Sequence, residues 1–161
     1  MSYYETAQIC KNGHVITDDY DGSPDMAKPF CSECGAPTII ECESCGAKIQ
    51  GRVHIDSVIS SRKLERAPSY CFNCGTAFPW TQSNIEAVHE LLDIDEKLSD
   101  ADRGTMRQIL PDLLAQTPKT QLAVVKARAI MKNMDDATYG AIKEIIGGFA
   151  TETVRKALFN Y

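Results

Sequence analysis

The sequence predicts an α+β chain: a small, cysteine-stapled β region over residues 1–80, then an all-α region of three to four helices over 81–161. Three observations predict it. All seven cysteines (Cys10, Cys31, Cys34, Cys42, Cys45, Cys71 and Cys74) fall in the first region. Six of them stand in Cys-x-x-Cys pairs that each run into a glycine, as CSECG, CESCG and CFNCG. From residue 81 cysteine disappears, and apolar residues recur at helical spacing.

The spacing points to metal. Cys10 has no cysteine partner nearby, but His14 follows it across a Lys-Asn-Gly turn, so seven thiols and one imidazole make eight donors. Eight donors fill two tetrahedral sites. A disulfide framework needs an oxidising compartment and normally an even count. A thioredoxin-like site needs one Cys-x-x-Cys opening a helix. Glycine after each pair suits a tight turn that aims backbone N–H groups at sulfur and ends in a positive φ.

Sequential pairing gives one site of three cysteines and a histidine (Cys10, His14, Cys31, Cys34) and one all-cysteine site (Cys42, Cys45, Cys71, Cys74). Crossed pairing, first with third and second with fourth, gives a RING-type brace. Sequential pairing is the preferred reading and describes tandem zinc ribbons. Val15-Ile16-Thr17 then pairs with Thr38-Ile39-Ile40 around the first site, and Ile49, Val53 and Ile55 with Phe78 around the second. Two Zn2+ are expected, with iron as the alternative at the all-cysteine site. Four protein donors leave no vacancy for water, which marks a structural metal.

The helices follow. Ser83-x-x-Glu86 reads as a capping box opening a helix with Ile85, Val88, Leu91 and Leu92 on one face. Ser99-x-x-Asp102 opens a second, with Met106, Ile109, Leu110, Leu113 and Leu114, which Pro111 should kink or end. Thr117-Pro118 reads as an N-cap and first position of a third, inward along Leu122, Val125, Ala129, Ile130 and Met134. A last segment runs from Asp136 to Leu158, weakened by Gly147-Gly148.

Charge bounds the partners. The formal net charge is −5, and seven thiolates outweigh two Zn2+, so the loaded protein is more acidic still. A strongly basic nucleic-acid binder is excluded, though not a local patch. Two patches qualify: Arg52, Arg62, Lys63 and Arg66 in the second loop, and Lys126, Arg128 and Lys132 with Lys119 on the third helix. Either could contact nucleic acid or an acidic partner; a solvated surface is the plainer reading. The acidic run Asp18, Asp19, Asp21 and Asp25 reads as surface, and His54 and His89 as isolated. No apolar run reaches the length of about 18 residues that suggests a membrane span. No basic-then-apolar leader opens the chain, so a cytoplasmic location is expected.

The stretches YYETAQICKNGHVI, FCSECGAPTI, CESCGAKIQG and PSYCFNCGTAFPWT resemble an uncharacterised family of bacterial proteins known only by a domain-of-unknown-function label. The resemblance implies a bacterial, cytosolic zinc-ribbon protein in which the eight donors above are the ligands. It implies no activity.

Phosphate loops, Gly-x-Ser-x-Gly and His-Glu-x-x-His are absent from the sequence. The expected function is therefore a non-catalytic interaction protein, an adaptor or regulator, with a metal-stiffened recognition head. A protein partner is expected, and the helical region is a possible route to a homo-oligomer. The alternatives are a nucleic-acid-binding regulator and an effector that acts on membranes through its amphipathic helices.

Overall fold

The structure, a computed structural model, describes residues 1–58 and 63–160. It divides into two compact units, Met1–Ser83 and Asn84–Tyr161. No helix among the described residues is long and apolar enough to cross a membrane.

The first unit is built from short strands: β1 (Ser2–Thr6), β2 (Gln8–Cys10), β3 (Val15–Thr17), β4 (Thr38–Ile39) and β5 (Gln50–Ile55). They form two small antiparallel sheets, β1–β5 and β3–β2–β4. β2 is central in the second, and every residue of it is buried. Its Ile9 faces Val15 on one side and Ile39 on the other. The segment expected to pair with Val15–Thr17 instead lies on the opposite edge of β2. The reason is that Gln8–Cys10 is itself a buried strand leading into the first donor, and it takes the central place between them. Val53 and Ile55 were expected around the second site beside Phe78, but they sit in β5 against the N-terminal strand, with Tyr4 opposite Val53. Tyr3 stacks on His54 in the same pairing, ring centroids 4.7 Å apart.

Buried polar groups tie the loops to these sheets. Gln8 donates to the Lys28 carbonyl and to Thr38 Oγ1, both at 2.9 Å, and its own oxygen accepts the Lys28 N–H at 2.9 Å. Part of the acidic run expected at the surface is structural: Asp19 is only 5% exposed. Its carboxylate pairs with Arg52 and accepts the Gly22 N–H at 3.0 Å. Asp18 accepts the Leu64 N–H through its carboxylate and the Arg52 N–H through its carbonyl. That carbonyl lies so close to Gly51 that a Cβ there would sit 2.1 Å from it, so only glycine fits.

The helices are α1 (Pro79–Ile94), α2 (Asp100–Leu114), α3 (Thr120–Met131), α4 (Asp136–Phe149) and α5 (Glu152–Phe159). α1 starts before the expected capping box. The Phe78 carbonyl accepts from Thr81 and Gln82, with Pro79 at the first helical position, and Ser83 lies inside the helix. α2 starts where expected: Ser99 Oγ accepts the Asp102 N–H at 3.1 Å. Pro111 does not end α2, which runs on to Leu114; with so little helix left, its missing N–H disturbs only the last turn. Thr117-Pro118 forms the turn before α3 rather than its first turn, the Thr117 carbonyl accepting the Thr120 N–H at 3.1 Å. The final segment is two helices, because Thr151 caps a new one by accepting the Val154 N–H.

One apolar core holds the second unit together, from Val88 and Leu92 through Leu110, Leu113, Ile142 and Ile146 to Val154 and Leu158. α3 enters it with a face that shares only part of the expected set: Ile130 is buried as expected, and so is Met134 just past the helix end. Ala123, Val124, Ala127, Ile130 and Met131 are buried, whereas Leu122, Val125 and Ala129 are exposed. Buried Asp95 pins two loops, its carboxylate accepting N–H groups from Lys97, Leu98 and Asp135 at 2.9–3.0 Å.

Candidate metal centres

The three Cys-x-x-Cys pairs fold identically. In each, the first cysteine donates its N–H to the carbonyl five residues on (Ala36, Ala47, Thr76). The same cysteine's carbonyl accepts from the glycine four residues on, at 2.8–2.9 Å. Isolated bridges close each loop: Phe30 with Pro37, Glu41 with Lys48, Tyr70 with Ala77. Gly35, Gly46 and Gly75 hold φ of 71–74°, the conformation glycine adopts without strain. The half-site at Cys10 differs. Cys10 donates its N–H to the His14 carbonyl at 3.0 Å, its Sγ accepts the His14 N–H at 3.3 Å, and Gly13 (φ 91°) lets the chain pass under Trp80.

These loops bring the donors into two groups in chain order: Cys10, His14, Cys31 and Cys34, then Cys42, Cys45, Cys71 and Cys74. Within each group the donor atoms all lie within 4.8 Å of one another. All seven cysteines are free thiols. The spacings suit a shared tetrahedral ion. With metal–sulfur bonds of about 2.3 Å, sulfurs at tetrahedral corners stand about 3.8 Å apart, and a sulfur and an imidazole nitrogen about 3.5 Å. Cys10–Cys34 and Cys42–Cys74 are separated by 3.8 Å, and Cys45–Cys71 by 3.6 Å. His14 Nδ1 lies 3.4 Å from Cys10 Sγ and 3.6 Å from Cys31 Sγ. Its other nitrogen lies 3.7 Å from the exposed Glu33 carboxylate, beyond hydrogen-bond distance.

In each pair the first cysteine is buried and the second exposed. The Ala36 N–H and the Asn12 amide lower the Cys34 thiol to about 6. The hydroxyl and N–H of Thr76 lower Cys74 to about 6. The Ala47 N–H and the Asn73 amide lower Cys45. Burial raises Cys10. The Cys74 N–H favours the Cys71 thiolate, but burial and the adjacent thiols Cys45 and Cys42 leave it raised. Converging donors of this kind repel one another as thiolates, and a bound dication removes that repulsion. Both groups can hold a metal ion.

Over residues 3–158 the chain matches a family described as uncharacterised proteins conserved in bacteria (DUF2321). The chain belongs to this family. The match takes in both metal centres and nearly all of the helical unit. No curated protein and no solved structure matches the chain.

The other residues singled out in the sequence lie elsewhere. Arg52 is engaged by Asp19, so it is a loop anchor more than a free cation. Lys63 and Arg66 are exposed, and Arg62 lies outside the described residues. Lys126, Arg128 and Lys132 are exposed on α3 or just past its end, with Arg128 3.4 Å from Asn160 Oδ1. Sequence reasoning missed the groups that support the donors. Asn12 donates to Cys34 Sγ at 3.3 Å, and Asn73 donates to Cys45 Sγ at 3.6 Å. Each asparagine thus reaches from its own half-site to the exposed sulfur of the other half. The signal was present as an Asn inside two of the four turns, though Asn12 reads first as a turn residue.

Proposed function

We propose that this family member is a zinc-binding, non-catalytic interaction protein. In this reading two Zn2+ staple a tandem zinc ribbon into a rigid recognition head, and the helical unit provides a second contact surface. The observation that carries it is the pair of four-donor groups at tetrahedral spacing. Four protein donors per ion leave no place for water or substrate, which favours a structural ion. Thiolate-rich donor sets select zinc or iron, and iron at the all-cysteine group is the alternative. The free thiols suit a reducing compartment, so we assign the protein to the cytoplasm.

Elemental analysis of protein purified without added metal tests this directly. Two zinc atoms per chain are expected, and fewer than two metal atoms per chain refute it. Pull-downs with metal-replete and chelated protein test the recognition role. A partner retained only by the metal-replete form is the expected result.

A further inference from the structure

We propose that the solvent face of α3 binds an acidic amphipathic helix of a protein partner. The inference rests on reading the chain as an interaction protein, and it names a surface and the chemistry that fits it. α3 buries Ala123, Val124, Ala127, Ile130 and Met131. At 100° per residue, Leu122, Val125 and Ala129 fall on the side opposite that core. They are exposed, Leu122 by 55% and Val125 by 64%. The spacing i, i+3, i+7 makes them one stripe, the pattern by which a helix anchors in a partner's groove. Lys119 and Lys126 flank the stripe on one side, Arg128 and Lys132 on the other. No acidic residue occurs between Asp112 and Asp135. Among the described residues, the helical unit's ion pairs use Lys97, Arg103, Arg107 and Lys156 and leave Lys119, Lys126 and Lys132 without a carboxylate.

An apolar stripe between two cationic rims is complementary to a helix with an apolar stripe between two rows of Asp or Glu. A second copy docked α3 to α3 would set lysines against lysines, which disfavours that occupant. A lipid surface fits less well. Membrane-surface helices bury large Leu, Phe or Trp side chains, and this stripe ends in alanine.

The test uses full-length, metal-replete protein and fluorescein-labelled synthetic helices of about four turns. One carries a Leu stripe flanked by Glu, and its counterpart has Lys in place of Glu. Saturable binding of the Glu helix is expected, with none of the Lys helix. Leu122→Ser with Val125→Ser, both solvent-facing and so compatible with folding, should weaken binding at least about tenfold. Lys126→Glu with Lys132→Glu should lose the Glu helix and gain the Lys helix. Failure to bind the Glu helix, equal binding of both helices, or binding that ignores these substitutions overturns the proposal. So does α3-dependent flotation with anionic phosphatidylserine vesicles, or α3-dependent retention of a DNA oligonucleotide, without Glu-helix binding. Metal content of the same preparation is read separately, so loss of this inference is distinguishable from loss of the zinc-binding reading.

Discussion

The two units solve the same problem, closing a small chain segment, by different means. The helical unit buries a contiguous set of aliphatic side chains contributed by all five helices. Among the described residues, the apolar side chains buried in the N-terminal unit, of similar length, are Ala7, Ile9, Ile49, Phe78 and Trp80 besides cysteines. Its strands are two to six residues long, too short to stand without further support. What it has instead are two knots of converging donors, with cysteines supplying much of what is buried there. A small domain with so little apolar core needs staples, and structural zinc supplies folding free energy outright. The lesson is that stability in one unit should follow metal, and in the other, packing.

The largest expected effect breaks the units apart. Stripping metal with a chelator should remove on the order of 10 kcal/mol from the N-terminal unit and leave the helical unit folded. Trp80, the one tryptophan, reports the first unit. It is 1% exposed, stacks on Phe78 at 4.8 Å and donates to the Pro68 carbonyl at 2.8 Å. Its emission should shift to the red on chelation while the far-ultraviolet helical signal persists. An unchanged Trp80 spectrum would show that the apolar residues suffice. The converse substitution is Leu110→Ala, at a fully buried position on α2. It should cost about 2–5 kcal/mol in the helical transition and leave bound metal per chain unchanged, as read by denaturant melts and elemental analysis.

Asp95 sharpens the contrast, since it is the helical unit's own polar staple. Burial opposes its charge, but the N–H groups of Asp135, Lys97 and Leu98 outweigh that and hold its carboxyl below the ordinary 3.8. A carboxyl depressed in the folded state stabilises above its unfolded value, and that contribution is lost as pH falls through the folded value. Asp95→Asn should therefore cost about 1–3 kcal/mol near neutral pH. The gap from wild type should close as pH drops below about 4. Denaturant titrations of the helical signal across that range measure it, and a gap that stays constant would refute the assignment.

The donors were legible because ligand chemistry leaves a strict residue-type and spacing signature. All eight residues expected as ligands lie in the two groups. α2 was legible for a related reason: its cap and apolar face are both local. What failed depended on long-range partners. β5 pairs with β1 across the whole first unit, and no local pattern announces that. Asp19 reads as surface until Arg52 is brought to it. α3 carries apolar residues on both sides, and spacing alone points Leu122, Val125 and Ala129 inward together with Ile130 and Met134. The helix packs through Ala123, Val124, Ala127, Ile130 and Met131, and leaves Leu122, Val125 and Ala129 exposed. The break between α4 and α5 lies at the Thr151 cap and not at Gly147-Gly148, which stay helical within α4.

The smallest effect tests the comparison within the first unit, between the two metal centres. Asn12 and Asn73 each donate to the exposed sulfur of one centre, Cys34 and Cys45. Such outer groups tune metal affinity without being ligands. Asn12→Ala should weaken the first centre about tenfold, equivalent to about 1.4 kcal/mol, and leave the second unchanged. Asn73→Ala should do the reverse, to a smaller degree given its longer contact. Competition against a chromophoric zinc chelator resolves two release steps if the centres are independent, and each substitution should then move one step alone. If both steps move together in either variant, the centres fold as one cooperative body, and metal at one is holding the ligands of the other.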